Sequence, residues 1–276
     1  MTRYFEHLAI IDCNTFIGNW AFRRLRRNTA AGLLEMMDSF GIERACVASA
    51  DAILYKDCQA GNEKLYEETR GAEDRFWLYA TLNPAYPGWE RDLGRCADLG
   101  FRALRLYPYY HNYRLESREA QTVVRAAAEA GLPVSVPVRV VDVRQRHWMD
   151  TTQNLDPLEL VRLAETCPNA TYILTEGFLP ASPEDDLWKR MSALSCYVEI
   201  SRMSACLDKN LQAALEALGP DRLLFGTGFP FKTPSPAFLK VQTLDADAEA
   251  KSLIISGNAR RLFDKDSLPP KTPALP

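Results

Sequence analysis

A chain of 276 residues with 47% hydrophobic content can bury about three quarters of its extended-chain surface, so one large core folds it without metal or disulfide. Its 33 basic and 36 acidic residues leave a net charge of −3 spread along the chain, with no basic run that would form a stripe against nucleic-acid phosphates. The opening MTRYFEHLAIID holds an apolar run of only four residues, and the seven scattered cysteines form no C-x-x-C pair, so a cytoplasmic protein with reduced thiols and no membrane partner is expected.

In chain order, short runs that are apolar on both faces alternate with longer amphipathic ones. The strand candidates are LAIIDCN (8–14), RACVASA (44–50), FWLYATL (76–82), FRALRLY (101–107), LPVSVPV (132–138), TYILTE (171–176), CYVEIS (196–201) and RLLFGT (222–227). Parallel strands covered on both faces require this kind of continuous hydrophobicity. Between them, stretches such as AAGLLEMMDSF, EAQTVVRAAAEAG and DPLELVRLAETC repeat apolar residues three and four apart, as helices do. Asp156 before Pro157 and Ser182 before Pro183 read as N-caps with a proline in the first turn, and Gly41, Gly100, Gly131 and Gly219 as left-handed helix ends. Cys46 and Cys196 read as small buried packing residues. Eight such units, with no G-x-G-x-x-G after the first strand, favour a closed (β/α)8 TIM barrel over an open doubly wound sheet. One domain over residues 1–263 is expected, followed by a proline-rich tail, 264–276, without periodicity and therefore disordered.

Chemistry in such a barrel sits at the C-terminal ends of the strands. The residues there are Asn14 and Phe16 after the first strand, Asn83 after the third, Tyr107 to His111 after the fourth, and Arg139 with Asp142 after the fifth. Glu176 follows the sixth, Ser201 and Arg202 the seventh, and Gly228 with Phe229 the eighth.

Seven stretches between Ile10 and Phe263 carry a resemblance: IIDCNTFIG, LNPAYPGW, GFRALRLYP, GLPVSVPV, CPNATYILTEGF, GPDRLLFGTGFPF and GNARRLF. In that order they resemble the amidohydrolase-related TIM-barrel family, metal-dependent hydrolases and decarboxylases that include aminocarboxymuconate semialdehyde decarboxylase. The resemblance implies a divalent metal held by two histidines after the first strand, one on the fifth, one on the sixth, and an aspartate after the eighth that also accepts a proton from metal-bound water. In this sequence those positions are Asn14, Phe16, Pro137, Glu176 and Gly228. Phe16, Pro137 and Gly228 offer no side-chain donor, and Asn14 with Glu176 is a poor zinc set without nitrogen or sulfur partners. Neither a metal ligand nor a cofactor is therefore expected, and the family's metal hydrolysis is not.

Without that metal, Glu176 is the leading acid–base candidate, because desolvation at the end of an interior strand raises a carboxyl pKa unless Arg105 or Arg139 pairs with it. His111 and Asp142 are its candidate helpers; His147 lies in a loop at the same end and His7 at the opposite one. Arg105, which alternation places with Ala103 and Tyr107, and Arg139 would fork onto a substrate carboxylate, with Asn14, Phe16 and Tyr107 completing the binding set. The same guanidiniums would equally neutralise Glu176, Asp142 and Glu199. Strand alternation turns Cys13 away from Asn14 and Asp12 toward its side. Three readings follow: a hydrolase- or decarboxylase-like enzyme working on a small carboxylate or lactone without metal; a non-catalytic barrel that binds a small anion or a protein partner; and, last, a metal enzyme with displaced ligands. Trp20, Trp148 and Trp188 are expected at the surface, available to a homo-oligomer interface.

Overall fold

In a computed structural model of the chain, residues 9–151, 153–204 and 209–264 are described. Eight parallel strands run in sequence order around one sheet: β1 (Ile10–Ile17), β2 (Ile42–Ser49), β3 (Phe76–Thr81), β4 (Ala103–Arg105), β5 (Val134–Pro137), β6 (Tyr172–Thr175), β7 (Cys196–Glu199) and β8 (Leu223–Leu224). The circle closes where Thr15 bridges Phe229, backed by Cys13 N–H to the Phe225 carbonyl and Gly228 N–H to the Asn14 carbonyl, both 2.8 Å. This is the (β/α)8 barrel that the eightfold alternation predicts. The short β4 ladder understates the strand, since Arg102 N–H reaches Leu78 and Leu106 N–H reaches Ser135, so the chain stays paired beyond both ends.

Outside the sheet lie α1 (Ala30–Phe40), α2 (Gln59–Thr69), α3 (Trp89–Asp98), α4 (Arg118–Glu129), α5 (Pro157–Thr166), α6 (Asp186–Ser192), α7 (Asn210–Leu218) and α8 (Ser235–Thr243). Two short helices, α9 (Ala248–Ser252) and α10 (Asn258–Phe263), join through a π turn. Asp156 caps α5 with a reciprocal box to Glu159, and Gly41 ends α1 at φ 69°. Ser182–Pro183 does not open α6: the helix starts at Asp186 with Asp185 as its cap, while the Ser182 hydroxyl turns to Glu184. An Asp cap with two acceptor oxygens wins over a serine three residues upstream.

Side chains divide as a barrel requires. Ala45, Val47, Leu104, Val134, Val136, Leu174 and Val198 pack outward under the helices, and Ile11, Cys46, Ala48, Tyr79, Ala103, Ile173 and Leu224 fill the interior. A bulge in β1 between Asp12 and Thr15 breaks strict alternation there. Cys13 consequently joins the inner cluster with Phe16, correcting the expectation that it points away. Trp20 and Trp188 are buried rather than exposed; Trp148 alone of the three is on the surface, 82% exposed. Cys46 and Cys196 are buried and free. His7, Cys206 and residues 265–276 of the tail lie outside the described residues. Among the described residues, no helix is long and apolar enough to cross a membrane.

Candidate functional site

The polar residues that the interior strands carry converge at the C-terminal end of the barrel around Asn14. Its amide nitrogen donates to Glu176 Oε1 at 2.6 Å and Glu199 Oε2 at 3.0 Å, and its oxygen accepts from Arg105 Nη1 at 3.1 Å. A carboxamide presents donors on one edge and an acceptor on the other, so one neutral side chain separates two carboxylates and ties both to a guanidinium. Arg105 is fully buried on β4, lies 4.2 Å above the Tyr79 ring and 5.2 Å from that of Phe16, and donates to Ser135 Oγ at 3.2 Å. Its charge is therefore held by aromatic faces and amide oxygen rather than by a carboxylate.

Glu176 follows β6 with φ +57°, a left-handed conformation uncommon outside glycine, and its N–H lies 3.3 Å from Glu199 Oε2. Its Oε2 accepts from Lys232 Nζ at 3.0 Å and from Arg202 Nε. Burial pushes this carboxyl up, but the two cations outweigh it and hold the pKa at about 2. Glu199 accepts from the Ser201 hydroxyl at 2.9 Å, yet burial, followed by the charge of Glu176, raises its pKa. Burial lowers that of Lys232 against the pull of both glutamates.

Lys232 reaches this position because of Gly228. The glycine sits at φ +72° after β8, and a Cβ there would lie 2.1 Å from Lys232 Cε and 2.7 Å from Glu176 Oε1. The lysine leaves the turn with its N–H on the Gly228 carbonyl at 3.1 Å and folds back through the space a side chain would fill. Deeper, Asp12 clamps β1 to the end of β8, accepting from Thr227 Oγ1 at 2.6 Å and from the N–H groups of Thr227 and Asn14, each at 3.0 Å; burial lifts it to about 7 against those donors. Behind Ser201, Lys240 donates to the carbonyls of Ile200 and Ser201, and burial lowers it to about 8.

Asn14, Phe16, Arg105 and Glu176 are thus brought together, and Tyr107 is buried in the same inner cluster. The partners of Glu176 are not Arg105 or Arg139 but Arg202 and Lys232, so its pKa falls where desolvation alone would raise it. His111 is not brought to Glu176: its Nε2 lies 3.2 Å from the Ala52 carbonyl and 3.7 Å from Cys58 Sγ, and burial lowers its pKa. Asp142 stands at the rim, bound to Arg144 at 2.9 Å and near Arg202 and Arg139 at 3.5 and 3.8 Å, which keeps it ionised far below the usual range. That environment suits an anchor for arginines rather than a proton carrier. His147 is stacked on Phe22 with ring centroids 5.5 Å apart.

Sequence reasoning missed Lys232, whose one signal was a lysine four residues beyond the glycine that follows the eighth strand. It also missed the run RRLRR, residues 23–27, which with Lys232, Ser201, Arg202 and Arg139 lines an open cleft of about 1050 Å3 above the site.

A closed eight-stranded barrel with convergent polar groups at its C-terminal mouth is the architecture of a small-molecule site. The sequence matches the amidohydrolase family over residues 14–265, and the chain belongs to that family. Among solved structures it is similar to 2,6-dihydroxybenzoate decarboxylase from Rhizobium, with 18% identity, a TM-score of 0.73, and 94% of this chain and 99% of that one covered. It is likewise similar to 5-carboxyvanillate decarboxylase from Sphingomonas paucimobilis, with 16% identity, a TM-score of 0.72, and 93% and 99% covered. A dihydroxybenzoic acid decarboxylase from a Polaromonas species, solved with manganese and 2-nitroresorcinol, gives 17% identity, a TM-score of 0.74, and 95% and 98% covered. At these identities the likeness concerns the fold. No curated protein sequence matches the chain.

Proposed function

We propose that the barrel binds a small carboxylate at its mouth and acts on it as a decarboxylase-like enzyme without a divalent metal, with the Lys232 ammonium as the cation of the site. The observation that carries this reading is the Lys232–Glu176 pair lying over Gly228.

The donor set does not fit a catalytic divalent ion. Asn14 turns its oxygen to Arg105 and its NH2 to the glutamates, and both oxygens of Glu176 are occupied by Asn14, Lys232 and Arg202. An ion placed on Glu176 would meet an ammonium 3.0 Å from the same carboxylate, and Phe16, Pro137 and Gly228 add no ligand. Among the described residues, no group of three or more His, Cys, Asp or Glu side chains is arranged to hold a metal.

Between the family's two reaction classes, the electrostatics favour decarboxylation. Hydrolysis needs a base to activate water, and a carboxylate held at about pKa 2 by two cations is a poor one. Decarboxylation needs an electron sink and a proton donor. The bond to the carboxyl carbon breaks, CO2 leaves, and the electron pair stays on the substrate, delocalised into an adjacent carbonyl or ring. Lys232 and Arg202 offset that charge, and the Lys232 ammonium, its pKa lowered by burial, returns a proton to carbon and is recharged from water. CO2 release is measured on hydroxybenzoates and β-keto acids with chelator-treated protein. The proposal expects turnover that survives chelation and falls about 100-fold or more in Lys232→Met; a stoichiometric ion whose removal stops turnover overturns it.

A second reading, binding without turnover, is favoured by the engagement of both Glu176 oxygens within the network. Saturable benzoate binding with no CO2 release across the panel identifies that case.

A further inference from the structure

The cleft above Lys232 carries more positive charge and more space than one carboxylate uses. Its lining includes seven arginines and Lys232 with one carboxylate, Asp142, while Glu176 lies beneath Lys232 and Arg202 and Glu35 stands 3.7 Å from Arg27; the cleft is still strongly positive although the whole chain is net negative at −3. At about 1050 Å3 it lies at the upper end of ordinary ligand sites, far beyond a single aromatic acid.

Four of these arginines, Arg23, Arg24, Arg26 and Arg27, come from the loop after β1, and that loop is a built wall. Its ends are tied together by Gly18 N–H to the Asn28 carbonyl and Asn28 Nδ2 to the Gly18 carbonyl, both 2.8 Å. Trp20 packs edge-on against Phe231 at 5.3 Å and Leu25 is buried. Arg23 donates to the Phe231 carbonyl at 3.0 Å, one residue before Lys232. Fixed in this way, the loop presents Arg24 and Arg26 outward, and no ion pair engages either among the described residues. On the opposite side Asp142 is shared among Arg139, Arg144 and Arg202. Holding these like charges around one cleft costs folding free energy that a bound anion relieves, and planar guanidinium forks match phosphate and carboxylate oxygens alike.

We propose that the mouth takes a small molecule with at least two anionic groups, a carboxylate seated at Lys232 and Arg202 and a second group, phosphate or carboxylate, held by the Arg23–Arg27 loop. This rests on the proposed carboxylate site and names the rest of its ligand.

The test is binding by calorimetry and thermal shift at matched ionic strength, using benzoate, citrate, inorganic phosphate and phosphoenolpyruvate as probes. A ligand with both groups is expected to bind at least about tenfold more tightly than benzoate, and citrate against phosphoenolpyruvate decides whether the distal group is carboxylate or phosphate. The double variant Arg24→Ser/Arg26→Ser, altered only at exposed positions, is expected to lose that tenfold advantage and keep benzoate affinity. Lys232→Met is expected to weaken every carboxylate probe. Equal affinity for benzoate and the polyanions, or no effect of the double variant, overturns the two-anion proposal. Polyanion binding that depends on the loop but not on Lys232 overturns the carboxylate site instead.

Discussion

Replacing Lys232 with methionine keeps the unbranched stem as far as Cε and removes the charge between Glu176 and Ser201. Breaking one side of a fully buried ion pair costs about 3–5 kcal/mol. Here Arg202 still pairs with Glu176, and the lysine side chain is 22% exposed toward the cleft, so about 2–3 kcal/mol is the working figure. In a chain of this size each kcal/mol moves Tm by about 2–4 °C, so melting is expected about 5–10 °C lower. The stronger assay is a double-mutant cycle with Glu176→Gln, read by urea unfolding at pH 7. Each single variant removes one partner of the Lys232–Glu176 contact and the double variant loses nothing further from it, so a coupling of about 1–3 kcal/mol is expected. Additivity within about 0.5 kcal/mol would show that the two groups do not interact, and the assignment of Lys232 as the site's cation would fail with it.

Three further expectations follow from the same network. The pKa of Glu176 in the folded chain, about 2, lies below its ordinary 4.5, so its contribution is complete above pH 4.5 and is lost as pH falls through 2; acid unfolding should start at higher pH in Lys232→Met, and an unchanged acid limb refutes the pairing. Lys240 is depressed as well, but by burial: its folded value of about 8 lies below its ordinary 10.5, so the unfolded chain binds more protons between them and stability rises across that interval. Lys240→Met should abolish that rise, and a variant whose Tm still climbs in parallel with the parent's contradicts it. Gly228→Ala pays both for a left-handed backbone and for a Cβ 2.1 Å from Lys232 Cε, whereas Gly41→Ala, at φ +69° with nothing within 4 Å, pays for the backbone alone. The first should cost at least about 1 kcal/mol more than the second in urea titrations, and equal costs would mean that Gly228 is not making room for the lysine.

The barrel was legible because its information is local and repeated: each strand reads as an apolar run, each helix as a 3.6-residue period, and right-handed crossovers leave one way to join them. Asn14, Arg105 and Glu176 were legible for the same reason, since strand ends and alternation place them. What stayed hidden depends on where loops go. Lys232 leaves a turn whose left-handed glycine returns it over the site, and Arg202 comes from the residue after Ser201 on a neighbouring strand end, so neither partner of Glu176 is fixed by sequence periodicity. His111 misled for a related reason: its loop position is correct, but a one-turn excursion, with its N–H on the Tyr107 carbonyl at 3.0 Å, directs the ring toward Ala52 and Cys58. Hydrophobicity likewise cannot say which tryptophans are covered. Trp188 lies on the buried face of α6, and Trp20 is held by its edge-on contact with Phe231.

Asn14, Glu176 and Gly228 depend on one another in this chain. Glu176 in a buried site needs positive charge within reach, and a lysine meets that need only if the residue at the end of β8 has no side chain, which is what Gly228 supplies. Burial, with the nearby charge of Glu176, raises the pKa of Glu199, and Asn14 answers by donating to both carboxylates, where a histidine would offer one N–H in that direction and a carboxylate none. Gly226 makes the same allowance for Glu199 that Gly228 makes for Lys232, since a Cβ there would lie 2.4 Å from Glu199 Oε1. A tethered ammonium cannot dissociate, and it can give up a proton. A site built around it therefore has fixed electrostatics and a proton to donate.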